Sequence, residues 1–296
     1  MTNAKAEILS SLLESGALRF APAGELFWYT SGTVGPYYVN THYLFGGQVE
    51  AERFLAFIEE GRSDRTRFPL EMKQRLLQQL ETDTLFRGTI DCLARAASTI
   101  DDFDFVSGGE RRDWFFSLPV AERLGKPHLL VYKNKEVMVL NGDGVEEGDI
   151  NGKRTLHVAD LVTEASSYFR AWIPALEERG GILARSLNVV DRGQGGVEKL
   201  DAAGIKTECL LRVDESMFEE LERGGQIDAE QRRVLVAYYR DPEVAMKEFV
   251  ESNPDFVRRA LAADDERTRS RALMFVQMNP YELDLVGLGI NPRPRS

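Results

Sequence analysis

Thr155–Phe169 reads TLHVADLVTEASSYF and holds the densest set of side chains in this chain that could do chemistry. A short apolar run, Leu156 to Val158, leads to a carboxylate at Asp160. Thr163, Glu164, Ala165, Ser166 and Ser167 follow as a small, polar cluster, and Tyr168 to Leu176 then reads as helix. Strand, polar turn, helix is the arrangement that aims backbone N–H groups and a helix N-terminus at an anion, usually a phosphate. A carboxylate where the strand ends suits a ribose hydroxyl or a Mg²⁺ ion. A second such stretch is Phe103–Trp114, FDFVSGGERRDW. Phe103 to Val106 predicts a buried strand, and Ser107-Gly108-Gly109-Glu110 a turn whose amides can converge on an anion. Arg111 and Arg112 either make bidentate phosphate contacts or form a solvated pair at a helix start. A helix dipole disfavours cations there, which leans toward the first reading.

The elements that must position these groups follow from the pattern on either side. Asn3–Ser15 has the spacing of an amphipathic helix closed by Gly16. Ala17–Thr41 alternates apolar and polar residues around a Gly/Pro turn, Ser31–Pro36. Gly46–Glu60 predicts a helix. Residues 61–88 read as an inserted charged loop and a helix, and Thr89–Ser98 as a further helix. Phe116 to Leu124 predicts a helix ending at Gly125, and Leu129–Tyr132 a strand ending in Lys133 and Lys135. Val137–Leu140 with Asn141-Gly142 reads as an acidic hairpin. Pro174 demands a kink or restart in the helix after the central turn. Ile182–Val190 is a strand ending in Asp191-Arg192-Gly193, Val197–Gly204 a short helix, and Ile205–Val213 the last strand. From Ser216 to Leu285 the chain predicts four or five helices with N-caps at Asp228, Asp241 and Asn253. The tail, Asn291–Ser296, reads as frayed.

Composition narrows the function. A net charge of −11 argues against general nucleic-acid binding, while leaving room for a local basic pocket. No apolar run is long enough to span a membrane, and Met1–Ser11 lacks a signal-peptide core. Cys92 and Cys209 form neither a disulfide framework nor a zinc site, and they point to a reducing cytoplasm. Three histidines without clustered spacing argue against a structural metal.

Five segments in this order resemble the orotate phosphoribosyltransferase branch of the type I phosphoribosyltransferases. They are Ser31-Gly32 with Pro36-Tyr37-Tyr38 and Asn40, the Phe103–Trp114 stretch, Lys126–Lys135, the central Thr155–Phe169, and Asp191-Arg192 with Gly195. Together they span roughly Ser15–Val213. The resemblance implies an α/β fold: a mostly parallel sheet flanked by helices, with an N-terminal hood. It divides the chain into a domain over residues 1–213, carrying the insert 61–88, and a helical C-terminal appendage over 214–296. It implies transfer of a phosphoribosyl group from phosphoribosyl pyrophosphate (PRPP), with Mg²⁺, to a pyrimidine-type base, and a cytoplasmic homodimer. Carried over residue by residue, Asp160 would bind ribose hydroxyls and, through PRPP, Mg²⁺. Thr163, Ser166 and Ser167 would hold the 5′-phosphate, and Gly108, Gly109, Arg111 and Arg112 the pyrophosphate. Lys133 would add charge. Arg192 would grip the base's carboxylate, or pair with Asp191 in a turn. Tyr37 or Tyr38 would stack on the base, or cap a hydrophobic core.

Four departures stand against the pattern. Ala159 replaces the first of two acids. Glu164, Ala165 and Ser166 stand where Thr or Ala and glycines are usual. Thr33 and Val34 leave the N-terminal turn without its basic residue. Residues 136–151 carry only acidic charge where the family has a mobile loop with a lysine and a histidine. These keep open a second reading, a non-catalytic nucleotide- or PRPP-binding protein that retains the fold.

Overall fold

The computed structural model describes residues 3–290, so the tail from 291 onward lies outside the described residues. In chain order the first elements are α1 (Asn3–Glu14), β1 (Leu18–Phe20), β2 (Phe27–Trp28), β3 (Val34–Gly35) and β4 (Tyr37–Val39). A 3-10 turn (Thr41–Leu44) leads to α2 (Gly47–Gly61), α3 (Phe68–Thr82), α4 (Thr84–Ala97), β5 (Phe105–Gly109) and α5 (Trp114–Leu124). Next come β6 (His128–Val131), β7 (Val137–Asn141), β8 (Gly144–Glu146) and β9 (Arg154–Val162). A π-helical turn (Tyr168–Trp172) runs into α6 (Ile173–Glu177), followed by β10 (Ile182–Asp191), α7 (Gly196–Ala202) and β11 (Lys206–Arg212). Five helices complete the described chain: α8 (Glu215–Arg223), α9 (Ala229–Arg240), α10 (Pro242–Ser252), α11 (Pro254–Leu261) and α12 (Glu266–Met278).

These elements form two compact units. Among the described residues the first holds 3–18 and 40–213, the second 19–39 and 214–290. One boundary falls at 213/214, and residues 19–39 group with the C-terminal helices and not with the α/β unit. Their aromatic side chains explain why. Trp28 stacks on Phe256 at 4.8 Å and meets Phe275 edge-on at 5.5 Å, while Tyr37 packs against Phe218 and Tyr238. Such pairs carry large apolar areas, and these rings form the core of the second unit.

The first unit is built on a seven-stranded sheet in the order β11-β10-β9-β5-β6-β7-β8. The five strands from β11 to β6 are parallel, and β7 and β8 add an antiparallel edge. β9 sits between β10 and β5, so its backbone is paired on both sides. That pairing lengthens it beyond the apolar run: Ala159 pairs with Asn188, Leu161 with Val190 and Val162 with Asp191. Asp160 therefore lies within the strand, and the polar turn starts at Thr163. The same effect corrects the Ser107–Glu110 turn. Gly108 and Gly109 are strand residues opposite Leu130 and Val131, and the turn begins at Glu110.

Two helix starts also differ from expectation. α4 begins at Thr84 rather than Thr89, because the Asp83 carboxylate accepts from the amides of Leu85 (2.9 Å) and Phe86 (3.0 Å). Asn253 makes no side-chain cap; its amide donates back to the Phe249 carbonyl instead. The caps at Asp228 and Asp241 are present. Pro174 stands at the start of α6, where it permits the restart after the π-helical turn. No helix among the described residues is long and apolar enough to cross a membrane.

Removing the cap that sets α4 should be measurable. Asp83→Ala is expected to lower the stability of the chain by about 1 kcal/mol, read as a lower urea midpoint. Hydrogen exchange should quicken in the first turn of α4. An unchanged midpoint and unchanged exchange would show that another contact fixes that helix start.

Candidate active site

A hollow of ≈ 450 Å³ opens where β9 and β5 end, at the carboxyl edge of the parallel strands. One wall is the stretch Ala159–Tyr168, the other is Glu110–Asp113, and Lys133 and Trp172 complete the lining. This is the position at which open α/β sheets bind ligands.

Asp160 is 7 % exposed. Its Oδ2 accepts from Thr41 Oγ1 at 3.0 Å and its Oδ1 from the Leu161 amide at 2.7 Å. Burial, and then the nearby charge of Asp113, push its carboxyl up to about 7, while Arg112 and these hydrogen bonds pull the other way. Beyond Val162 the turn is held from behind. Gly196 donates its amide to the Thr163 carbonyl at 3.0 Å, an approach that only a glycine permits, since a Cβ there would lie 2.5 Å from that oxygen. Ala165 is buried with φ +57°, the left-handed region that a glycine would occupy without strain. The chain turns helical at Ser166, and Ser166 and Ser167 are exposed at the hollow. The first amides of a helix have no partner within it, so this end suits an anion. Glu164 is exposed on the same wall.

The opposite wall is pinned by carboxylates. Glu110, 6 % exposed, pairs with Arg62 at 2.6 Å and accepts from the Lys133 amide at 3.0 Å. The Glu110–Arg111 peptide is cis. Arg111 pairs with Glu59 on α2 at 2.6 Å, whereas Arg112 is exposed and acts electrostatically on both Asp160 and His42. Asp113 precedes α5 but makes no cap. Its Oδ2 accepts from the Gly109 amide at 3.0 Å and its Oδ1 from the Asp160 amide at 3.1 Å. Beneath it lies His157, fully buried, with Nε2 3.4 Å from Asp113 Oδ2 and Nδ1 2.9 Å from Ser107 Oγ.

The structure thus brings Asp160, Thr163, Ser166, Ser167, Arg111, Arg112 and Lys133 to one hollow. Gly108 and Gly109 differ from expectation. The Gly109 amide is taken by Asp113, and the Gly108 carbonyl accepts from Trp114 Nε1 at 2.8 Å. These glycines are needed for space instead. A Cβ on Gly109 would lie 2.3 Å from the Trp172 ring, and one on Gly108 2.0 Å from Ser117 Oγ. Arg192 is half-buried in the turn after β10, donates its amide to the Val162 carbonyl at 3.0 Å, and does not line the hollow. Asp191 pairs with Arg212 at 3.4 Å and accepts from the Gly193 amide. Tyr37 and Tyr38 belong to the second unit. Tyr37 is 2 % exposed in its aromatic core, and the Tyr38 hydroxyl donates to the Trp28 carbonyl at 2.7 Å.

Sequence reasoning passed over Thr41, Glu110, Asp113 and His157. Asp113 is disguised by its place, since an acid before a helix reads as a cap. His157 is hidden in an apolar run. The expected hairpin is present: β7 pairs with β6 and with β8. Its flanks are tied down by Lys135–Glu178 and Arg65–Glu136, both 2.7 Å, and by Arg179 on the Val137 carbonyl at 2.6 Å.

Among the described residues no group of three or more His, Cys, Asp or Glu side chains could hold a metal ion. The donor set nearest to one is the pair of carboxylates at Asp160 and Asp113. That set fits a Mg²⁺ arriving on a phosphate ligand, with most of its coordination from phosphate and water, better than a resident ion in a protein cage.

No family model matches the chain. It is similar to curated orotate phosphoribosyltransferases: 28 % identical over 141 residues to that of Sulfolobus acidocaldarius, 31 % over 114 to that of Sulfurisphaera tokodaii, and 34 % over 135 to that of Methanothermobacter thermautotrophicus. The matches cover 47, 38 and 43 % of this chain and 68, 57 and 69 % of those relatives. In fold it resembles the UMP synthase of Leishmania donovani, with a TM-score of 0.55 at 16 % identity over 80 % of this chain and 42 % of that one. It also resembles the orotate phosphoribosyltransferase of Francisella tularensis, with a TM-score of 0.53 at 14 % identity over 78 and 96 %.

The raised carboxyl of Asp160 has a signed consequence. The folded chain holds that proton more tightly than the unfolded one, whose carboxyl keeps its ordinary value of 3.8. The stability this contributes is complete below pH 3.8 and is lost as pH rises toward 7. Asp160→Asn should flatten the fall in urea midpoint across that window and make the ligand-free chain more stable above pH 7. A variant whose pH dependence matches the unchanged chain would rule this out.

Proposed function

The chain belongs to the orotate phosphoribosyltransferase family, and on that premise we propose that it transfers a phosphoribosyl group from PRPP to a pyrimidine-type base, orotate being the nearest precedent. The bond from C1′ to the pyrophosphate oxygen breaks, and pyrophosphate leaves with the electron pair. A ring nitrogen of the base forms the new bond to C1′ and loses its proton, which leaves with the pyrophosphate. Positive charge grows on the ribose and negative charge on the leaving group, so a site that does this must offer opposite charges at the two ends. The observation that carries the reading is one hollow presenting Asp160, the Thr163–Ser167 turn, Arg112 and Lys133 together.

In this reading Ser166, Ser167, Thr163 and the first amides of the helical segment hold the 5′-phosphate. Asp160 accepts from the ribose hydroxyls. Arg112 and Lys133 face the pyrophosphate, with Arg111 in reserve because Glu59 already engages it. Mg²⁺, bound with PRPP, would supply further neutralisation of the leaving group, and Asp160 is the side chain nearest to that role. The family precedent extends the proposal to a cytoplasmic homodimer, and sedimentation equilibrium would read the dimer.

Calorimetry with MgPRPP and with orotate, followed by a pyrophosphate-release assay, tests this directly. Binding of MgPRPP and release of pyrophosphate with orotate are expected. Binding without turnover would select a nucleotide- or PRPP-binding role, and no binding would discard the assignment of the hollow. Glu164→Gln removes a like charge from beside the phosphate turn, so it should tighten MgPRPP about two- to fivefold.

A further inference from the structure

We infer that Asp113 is the second carboxylate of the ribose site, standing where residue 159 supplies none. The inference rests on the reading of the hollow as a PRPP site. Alternate residues of a strand share a face, so His157 and Ala159 project from the same side of β9. His157 packs edge-on to Tyr168 at 4.9 Å, and Ala159 belongs to the buried cluster that includes Tyr168 and Trp172. The Asp113 carboxylate lies against that side. Its Oδ2 is 3.4 Å from His157 Nε2, and the space above Gly109 is bounded by both Asp113 Oδ2 and the Trp172 ring. A methyl at 159 leaves this room open, and a carboxylate at 159 would crowd it with a second negative charge.

The bonding of Asp113 fits the role. Each carboxylate oxygen has two acceptor directions. The amides of Gly109 and Asp160 take one from each oxygen, and the side chain still lines the hollow. Asp113 therefore keeps acceptor capacity for a sugar hydroxyl while it ties the end of β5 to β9. His157 Nε2, buried and without a hydrogen bond of its own, faces the same carboxylate at 3.4 Å. Asp160 and Asp113 thus form an acid pair drawn from two elements instead of two neighbours on one strand.

Moving the carboxylate is the test. MgPRPP binding is measured by calorimetry for the unchanged chain, Asp113→Asn, Ala159→Asp and the double variant, with thermal denaturation of each as a check of folding. Asp113→Asn should weaken MgPRPP about tenfold or more. Ala159→Asp alone should weaken it too, and the double variant should regain most of the affinity, which a merely structural role for Asp113 would not produce. Tighter binding by Ala159→Asp alone would overturn the inference even if Asp113→Asn failed to fold. Unaltered binding by a folded Asp113→Asn would overturn it while leaving the assignment of the hollow intact. Absence of MgPRPP binding by the unchanged chain would overturn both.

Discussion

One carboxylate holds the two walls of the hollow together. Asp113 accepts at once from the Gly109 amide at the end of β5 and the Asp160 amide within β9. β5 and β9 pair only as far as Ser107 and His157, so both amides lie beyond that ladder and want a partner. A buried amide without one costs as much as a lost hydrogen bond. A single buried acceptor meets both needs, and hydrogen bonds to a charged acceptor are stronger than neutral ones. The turn Glu110–Asp113 is therefore anchored to the strand that carries Asp160. A second carboxylate repeats the device: Glu110 joins the same turn to the Lys133 amide just past β6 and to Arg62, the residue that follows α2.

The parts of this arrangement that sequence reasoning reached are those set by local pattern. Apolar runs mark β5, β6 and β10, Gly16 and Gly125 mark the ends of helices, and Pro174 marks a helical restart. The polar turn at Thr163–Ser167 announced itself by composition. What stayed hidden depends on partners distant in the chain. Asp160 falls inside β9 only because β10 flanks it. Gly108 and Gly109 look like a turn until β6 pairs with them and Trp172 and Ser117 fill the space above them. Thr41 bonds Asp160 across 119 residues, a relation that no spacing rule predicts. Residues 19–39 group with the C-terminal helices because alternation reports a strand but not the partner its aromatic face finds.

The central turn keeps its shape despite losing the residues that make such a shape easy. Ala165 adopts a left-handed conformation that costs an L-residue about 1–2 kcal/mol relative to the ordinary region. Contacts on both sides hold it there. Gly196 binds the Thr163 carbonyl, and the Tyr168 hydroxyl is fixed by Ser186 at 2.7 Å and Asn188 at 2.9 Å. Gly196 serves by its small size and not by its φ, since a Cβ there would lie 2.5 Å from the Thr163 carbonyl oxygen. A turn can therefore look degenerate by residue type and still present its serines and its first helical amides toward one point.

Charge then decides how a polyphosphate can enter. Glu110 is neutralised by Arg62 and Arg111 by Glu59. What remains facing the hollow is Arg112 and Lys133 against Asp160, Asp113 and Glu164. With all of these ionised the carboxylates outnumber the cations, so the hollow by itself does not favour a highly charged anion. The basic residues that a mobile loop would bring are absent, because residues 136–151 are acidic and their first half is paired into the sheet beside β6. Two changes shift the balance: a proton on Asp160, whose carboxyl is pushed up to about 7, evens it, and a divalent ion carried by the ligand reverses it. The first fades as pH rises above neutrality and the second does not. A polyphosphate should therefore depend on its metal more steeply here at alkaline pH than near pH 6, because there the metal alone must offset the paired carboxylates.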